Sequence, residues 1–113
     1  MSSGCLTTQL LERDRPRTYT RNVLEFLESD QQARIFSALA DPVRLRFVRE
    51  LVERGERSGT AIAEKLGISL ALLCHHSRIL VESGVVAKRK DGQTAYYSAN
   101  RPLLRHCMKS LLS

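Results

Sequence analysis

Length and composition place the chain among small globular proteins. Its 113 residues, 42% hydrophobic and 27% charged, suffice for one domain with a single core. No stretch approaches the roughly 18 consecutive apolar residues of a membrane-spanning helix, and the N-terminus lacks the charged head and apolar run of a signal peptide. Three widely spaced cysteines make no disulfide framework, so we expect a cytoplasmic protein with free thiols at Cys5, Cys74 and Cys107.

The positive charge is concentrated in the C-terminal half. Residues 1–54 carry nine Lys and Arg against eight Asp and Glu, a balance of +1, whereas residues 55–113 carry nine against four, a balance of +5. A basic surface in that half favours a nucleic-acid partner, because such surfaces face phosphates.

The N-terminal third is predicted to be an arm followed by helix. Residues 1–19 show no apolar periodicity and predict a flexible arm, so the folded domain is expected over residues 20–113. A helical pattern begins at Thr20 and weakens across residues 29–32, after which an apolar stripe continues over residues 35–40. The pattern fits either one continuous helix or two.

The run Ala40-Asp41-Pro42 predicts the boundary before the next helix. The Asp41 side chain can cap a helix, and Pro42 suits the first helical position, where no N–H partner is needed. The helix is expected to extend to about Arg54 and to end at Gly55. Its predicted buried residues are Leu45, Val48, Leu51 and Val52, and its predicted exposed residues are Arg44, Arg46, Arg49, Glu50 and Glu53.

Residues 60–83 have the spacing of a helix-turn-helix. Ala63 supplies the small residue where two helices touch, Gly67 supplies the left-handed turn, and Leu73 supplies the apolar anchor of the second helix. The expected helices cover residues 61–66, with Thr60 as the cap, and residues 70–83, with Ser69 as the cap and Gly84 as the terminator. The inward positions of the second helix are predicted to be Leu73, Leu80 and either His76 or Ser77.

After Gly84 the apolar period changes from helical to alternating. Residues 85–90 and 93–98 predict two strands joined at Asp91-Gly92 by a type I′ turn, so a wing is expected over residues 85–98. Asn100 can cap a last helix over residues 101–112. The predicted fold class is therefore mainly α with a small β-hairpin, a winged helix-turn-helix of four helices, a two-stranded wing and a C-terminal helix.

Three segments carry a more specific pattern, and they occur in a fixed order. They are residues 36–46 (FSALADPVRLR), residues 73–80 (LCHHSRIL) and residues 90–98 (KDGQTAYYS). Together they resemble the ArsR/SmtB family of transcriptional repressors, and the resemblance covers roughly residues 33–103. It implies a homodimer that packs its first and last helices together and represses an operator until an inducer binds.

The architecture assigns the DNA-contacting residues. In a winged helix-turn-helix the second helix enters the major groove and the wing follows the backbone of double-stranded DNA. The predicted DNA-binding residues are Ser69, Leu70, Ala71, Cys74, His75 and Arg78 in the recognition helix and Lys88, Arg89, Lys90, Gln93 and Thr94 in the wing. The apolar stripe of the last helix predicts a dimer interface at Leu104, Cys107, Met108 and Leu111.

The metal sites that are usual in the family are missing from this sequence. The family's thiolate site places two cysteines at the start of the third helix, where this chain has Ser58 and Thr60. Its other site uses two pairs of ligands in the last helix. At the first pair this chain has Asn100 and Pro102, and the chain ends before a second pair can form. We therefore predict no metal and no other cofactor, and the sequence identifies no inducer.

The adjacent residues Cys74, His75 and His76 point in directions about 100° apart around a helix, which does not suit a metal site within one helix. We expect His75 to face DNA and His76 to be partly buried and hydrogen-bonded. Cys74 and Cys107 are candidates for a thiol sensor.

Three function classes can be compared on this basis. An enzyme is not predicted, because no orienting carboxylate or phosphate loop accompanies a nucleophile. Besides the inducible repressor, the sequence leaves open a winged-helix module for protein–protein contact and a thiol-based redox-sensing repressor.

Overall fold

The structure is a computed structural model, in which residues 16–112 are described and side chains are described from Glu28 onward. In chain order its elements are α1 (Pro16–Leu39), α2 (Pro42–Arg54), β1 (Arg57–Ser58), α3 (Gly59–Leu66), α4 (Leu70–Ser83), β2 (Val86–Asp91), β3 (Thr94–Ala99) and α5 (Arg101–Leu112). The predicted mainly helical fold with a hairpin is confirmed. None of the helices within residues 16–112 is long and apolar enough to cross a membrane.

The helix α1 is continuous rather than two helices. It begins at Pro16, four residues before the predicted Thr20, because proline is tolerated in the first turn of a helix. The arm was predicted over residues 1–19, but residues 16–19 belong to α1. The remaining residues of the predicted arm, 1–15, lie outside the described residues. The chain divides into two compact units, residues 1–31 and residues 32–113, and the second contains every element from α2 onward.

The start of α2 is fixed by Asp41, as predicted. Its Oδ2 atom accepts hydrogen bonds from the backbone N–H groups of Val43, at 2.9 Å, and Arg44, at 3.0 Å. These donors have no partner within the helix, so the cap satisfies them. The helix ends at Gly55, whose φ of 82° is accessible to glycine at low cost.

The buried face of α2 differs from the predicted one. Phe47, Val48 and Leu51 are buried, whereas Leu45 is 43% exposed and Val52 is only partly buried. Positions 47, 48 and 51 share one side of a helix, and position 45 lies about 200° from position 47. The prediction for Leu45 was therefore wrong, because the stripe is centred on Phe47.

The tight turn of the helix-turn-helix lies at Gly67, as predicted. Gly67 has a φ of 71°, and its N–H donates to the Glu64 carbonyl at 3.2 Å. At the other end, α3 begins at Gly59, two residues before the prediction. Its cap is Ser58 and not Thr60, because the Ser58 hydroxyl accepts a hydrogen bond from the Ala61 N–H at 3.2 Å.

The wing belongs to a three-stranded antiparallel sheet of order β1-β3-β2. The sequence did not predict β1, which pairs with β3 through Arg57 opposite Tyr97 and Ser58 opposite Tyr96. A strand of two residues is too short to show an alternating pattern, which explains why it was missed.

The hairpin turn is one residue later than predicted. Asp91 pairs with Thr94, so Gly92 and Gln93 occupy the two turn positions. Gly92 has a φ of 65°, and no described non-glycine residue has a positive φ. A type I′ turn needs positive φ at both positions, whereas a type II′ turn needs it only at the first. The turn is therefore type II′, with the glycine at its first position.

The core joins α2 to the wing. The rings of Phe47 and Tyr97 meet edge to face with centroids 5.6 Å apart, and both side chains are almost completely buried. The other large side chains that are almost completely buried come from all of the helices α1 to α4 and from the start of the wing; they are Ile35, Leu51, Ile62, Leu73, Leu80 and Val85. The sheet therefore serves as a wall of the helical core, and only its distal part projects from it.

Candidate nucleic-acid interface

The outer face of α4 is the predicted recognition surface, and all its predicted residues are exposed. Ala71, Cys74, His75 and Arg78 follow the i, i+3, i+4, i+7 spacing that makes one stripe on a helix. Leu70 is 53% exposed at the start of the same helix. Ser69, also exposed, caps α4 by accepting the Leu72 N–H at 3.1 Å, so its hydroxyl is already engaged.

The inner face of α4 holds the stripe in place. The sequence left a choice between His76 and Ser77 as the inward residue, and both are buried together with Leu73 and Leu80. The Ser77 hydroxyl donates to the Cys74 carbonyl at 3.0 Å and accepts from the Tyr97 hydroxyl at 3.3 Å. The helix is thus anchored to the sheet as well as to α2 and α3.

The three consecutive basic residues of the wing do not share a face. Successive side chains of a strand point to opposite sides of the sheet, so Lys88 and Lys90 lie on one face and Arg89 on the other. Lys88 and Lys90 line a groove together with Leu70 and Cys74 of α4. The sequence prediction assigned all three basic residues to DNA because it considered only their charge. It did not consider that side chains alternate between the two faces of a strand.

Arg89 is engaged on the opposite face of the wing. Its Nε and Nη2 atoms each donate to a carboxylate oxygen of Glu56 at 2.8 Å, and its guanidinium carbon lies 4.6 Å from the centre of the Tyr96 ring. The hydrogen bond from Arg89 holds the pKa of Glu56 below its usual value. Arg89 therefore ties the wing to the loop between α2 and β1.

A groove lies between α4 and the wing. Its volume is about 260 Å³, and its polar lining comes from Thr60, Cys74, Lys88, Lys90, Gln93 and Thr94. Its floor is apolar, with Leu73 and Tyr97 beneath the polar groups. Gln93 and Thr94, which were predicted to contact DNA, thus stand at the same opening as the two lysines.

A polar cluster lies beneath α4, where it meets the start of α2. Arg44 donates from Nη1 to the His76 Nδ1 atom at 3.2 Å and from Nε to the Ala38 carbonyl at 2.6 Å. The Asp41 carboxylate is 3.9 Å from the same His76 nitrogen. Arg44 was predicted to be exposed, but it is partly buried because it joins α1, α2 and α4.

A second charged cluster connects α2 with β1. Glu50, predicted to be exposed, is only 5% exposed and lies 2.8 Å from Arg57 and 3.3 Å from Arg54. A carboxylate this far from water needs cationic partners, and Arg57 and Arg54 supply them. The prediction failed because β1, which brings Arg57 to Glu50, was not recognised.

Comparison with known proteins gives the same architecture. A family model described as "Helix-turn-helix domain" matches residues 39–89. The "Transcriptional repressor SmtB homolog" of Synechocystis is 34% identical over 89 residues, which cover 79% of this chain and 67% of that protein. The chain belongs to the ArsR/SmtB family of winged helix-turn-helix regulators.

Two further proteins are similar to this chain. A Streptomyces lividans protein named "Probable mercury resistance operon repressor" is 41% identical over 73 residues, 65% of this chain, and the match spans only 58% of that protein. The solution structure of a homodimeric winged helix-turn-helix DNA-binding domain from Mycobacterium bovis has a TM-score of 0.67 at 29% identity and covers 78% of this chain and 82% of that one.

The positions of the usual ArsR/SmtB metal ligands have structural roles here. Ser58 caps α3, and Asn100 both accepts the Leu103 N–H and donates to the Gly84 carbonyl, each at 3.2 Å. Among the described residues, no group of three or more His, Cys, Asp or Glu side chains is placed to hold a metal ion.

The predicted dimer residues of α5 divide into exposed and buried ones. Met108 is 43% exposed and Leu111 64% exposed, and Leu104 is partly buried against the core. Cys107 is only 3% exposed, and its carbonyl accepts a hydrogen bond from the Gln32 side chain at 2.8 Å. Cys107 therefore belongs to the core of its own chain, and its burial argues against a thiol sensor there, whereas Cys74 is exposed.

Proposed function

We propose that the chain is a cytoplasmic repressor that binds duplex operator DNA as a homodimer, with α4 in the major groove and the wing along the backbone. One observation carries the proposal. Leu70 and Cys74 of the predicted recognition surface line a single groove together with Lys88 and Lys90, so the recognition helix and the wing lysines meet at one opening. The names of similar proteins, a transcriptional repressor and a DNA-binding domain among them, support this function.

The groups on this surface suit different parts of the duplex. Leu70 and Ala71 offer apolar contact to thymine methyl groups, and Arg78 can reach a phosphate or a guanine edge. Lys88 and Lys90 neutralise phosphates of the backbone that the wing follows. Cys74 and His75 lie between these two sets and complete the contact surface, and Gln93 and Thr94 offer neutral polar contacts at the tip.

The homodimer is proposed to form through α5. Met108 and Leu111 present apolar surface that one small domain leaves exposed, and Leu104 continues the stripe toward the core. The relative from Mycobacterium bovis is named as homodimeric. A two-fold dimer places two copies of α4 where they can read two half-sites. Release of the dimer by an inducer is the remaining part of the proposal, and likeness to the family alone supports it.

The experiment that tests this function is a selection from randomised DNA duplexes. Purified protein is incubated with the pool, bound duplexes are amplified, and the affinity of the enriched sequence is measured by fluorescence anisotropy at several salt concentrations. We expect one enriched, two-fold symmetric motif and an affinity that falls steeply with salt. If no sequence is enriched and binding is weak at low salt, the winged helix is a protein-contact module instead.

A further inference from the structure

The polar cluster beneath α4 fixes the protonation state of His76. An arginine side chain can donate hydrogen bonds and cannot accept them. Because Arg44 Nη1 points at His76 Nδ1 at 3.2 Å, that nitrogen must be the acceptor. His76 is therefore neutral, with its proton on Nε2.

The charged and titratable groups that face His76 come from three places. Arg44 approaches from α2, Asp41 from the residue before α2, and His75 from α4 itself, with its ring centre 5.3 Å from that of His76. Burial lowers the pKa of His76 below its usual 6.5, and the charges of Arg44 and His75 lower it further, whereas Asp41 opposes them. The neutral ring is thus the form that the fold favours.

Protonation would exchange one partner for another. Once Nδ1 carries a proton, it can no longer accept the hydrogen bond from Arg44, and the two positively charged side chains repel each other. The Asp41 carboxylate, which lies 3.9 Å from this nitrogen, then becomes the available acceptor. Asp41 Oδ2 is already occupied as the cap of α2, and Arg44 is held by the Ala38 carbonyl. The change therefore strains the junction of α1, α2 and α4 together.

We propose that His76 is a positioning residue, which holds the recognition helix α4 on α2 only while its ring is neutral, so that acid weakens binding to the operator. The proposal rests on the proposed function, since α4 must be the DNA-reading helix. His76 itself is buried and does not face the groove. It acts through the exposed stripe of α4, which includes its neighbour His75.

The direction in which affinity for DNA changes with pH distinguishes this role of His76 from a general effect of surface charge. The stability that the neutral ring contributes is complete above pH 6.5 and is lost as the pH falls through the lower, folded-state pKa. Positive charge gained on an exposed protein surface strengthens the attraction to DNA. A loss of affinity in acid is therefore opposite to what surface charge alone produces.

The DNA test compares three proteins on the duplex enriched by the selection, between about pH 7.5 and about pH 5.5. For the unmodified chain we expect the affinity to fall as the pH is lowered, by up to about tenfold for each pH unit below the folded-state pKa of His76. His76→Asn keeps an acceptor close to the Nδ1 position and cannot be protonated, so its affinity should not fall in acid. His106→Asn, on the exposed surface of α5, should retain the fall.

A second measurement keeps the proposal testable without DNA. Nitrogen NMR of the ring should show the Nε2-protonated tautomer of His76 at about pH 7.5 and a pKa below the usual 6.5. A His76 pKa at or above 6.5, or an acid response unchanged in His76→Asn, would overturn the proposal. If no duplex binds at any pH while the NMR result is as expected, the proposed function is wrong. The proposed effect of His76 on DNA binding is then wrong as well.

Discussion

Arg89 and Glu56 form an ion pair with two parallel hydrogen bonds, each 2.8 Å long, on the face of the wing that turns away from α4. Among the side chains described, residues 28–112, no carboxylate forms an ion pair with Lys88 or Lys90, and both lysines line the groove instead. The three adjacent basic residues therefore differ in their surroundings. Arg89 fastens the wing to the α2–β1 loop, and we propose that Lys88 and Lys90 bind phosphates.

The first prediction concerns the wing charges. Lys88→Ala or Lys90→Ala should lower the slope of log affinity against log salt by about two units, because each removes one phosphate contact from each subunit of a dimer. Binding to all duplexes should weaken alike. The measurement is fluorescence anisotropy over a salt series.

Two matched variants control that experiment. Arg89→Ala removes an equal charge from the opposite face, and Arg46→Gln removes one from the exposed side of α2. Both should leave the salt slope close to that of the unmodified chain. An equal drop for Arg89→Ala and Lys88→Ala would show that the faces of the wing do not differ in function.

The limits of sequence reading can be traced to particular residues. Gly67, Asp41 and Ser69 were assigned correctly, because each satisfies a local rule of helix capping or turn conformation. The pairings of Arg89 with Glu56 and of Arg57 with Glu50 could not be predicted, since β1 brings their partners together across the chain. Contacts between residues far apart in the chain leave no pattern in the local sequence. The alternation of side chains along a strand, however, is enough to predict that Arg89 and Lys88 lie on opposite faces of the wing.

The second prediction tests the corrected core of α2. Phe47→Ala should lower the free energy of unfolding by about 3–5 kcal/mol, because the ring is fully buried against Tyr97. Leu45→Ala, on the exposed side of the same helix, should change it by about 0.5 kcal/mol or less. Urea unfolding followed by circular dichroism measures both. Similar losses for the two variants would mean that the buried face is assigned wrongly.

The third prediction concerns sequence preference. Leu70→Gln replaces an apolar contact to thymine methyl groups by a side chain that pairs with adenine, so the enriched motif should change more than the affinity for random duplexes. Leu72→Gln is the matched control, since Leu72 is 41% exposed on α4 but was not assigned to the recognition surface. Repeating the selection with each variant gives the answer. A uniform loss of affinity for Leu70→Gln, with the motif unchanged, would contradict a base-reading role.

The fourth prediction concerns the dimer. Leu111→Glu should produce monomers at micromolar concentration and greatly weaken binding to a two-half-site duplex, because a buried charge in an apolar interface has no partner. His106→Glu changes an exposed residue on another side of α5 and should remain dimeric. Sedimentation velocity measures both states. A monomeric unmodified chain at this concentration would rule out the proposed interface.

The last prediction concerns metal ions. The positions of the family's two usual sites hold Ser58 and Thr60 at the start of α3 and Asn100 and Pro102 at the start of α5. Neutral hydroxyls are poor ligands for thiophilic ions, and Ser58 and Asn100 already serve as helix caps. We therefore expect no binding of zinc, cadmium or arsenite at these positions tighter than about micromolar, in a competition titration against a chelating dye. Cys74→Ser separates adventitious binding at the exposed thiol from binding elsewhere. Stoichiometric binding that survives Cys74→Ser but is lost in Ser58→Ala or Asn100→Ala would show that these residues ligate metal after all.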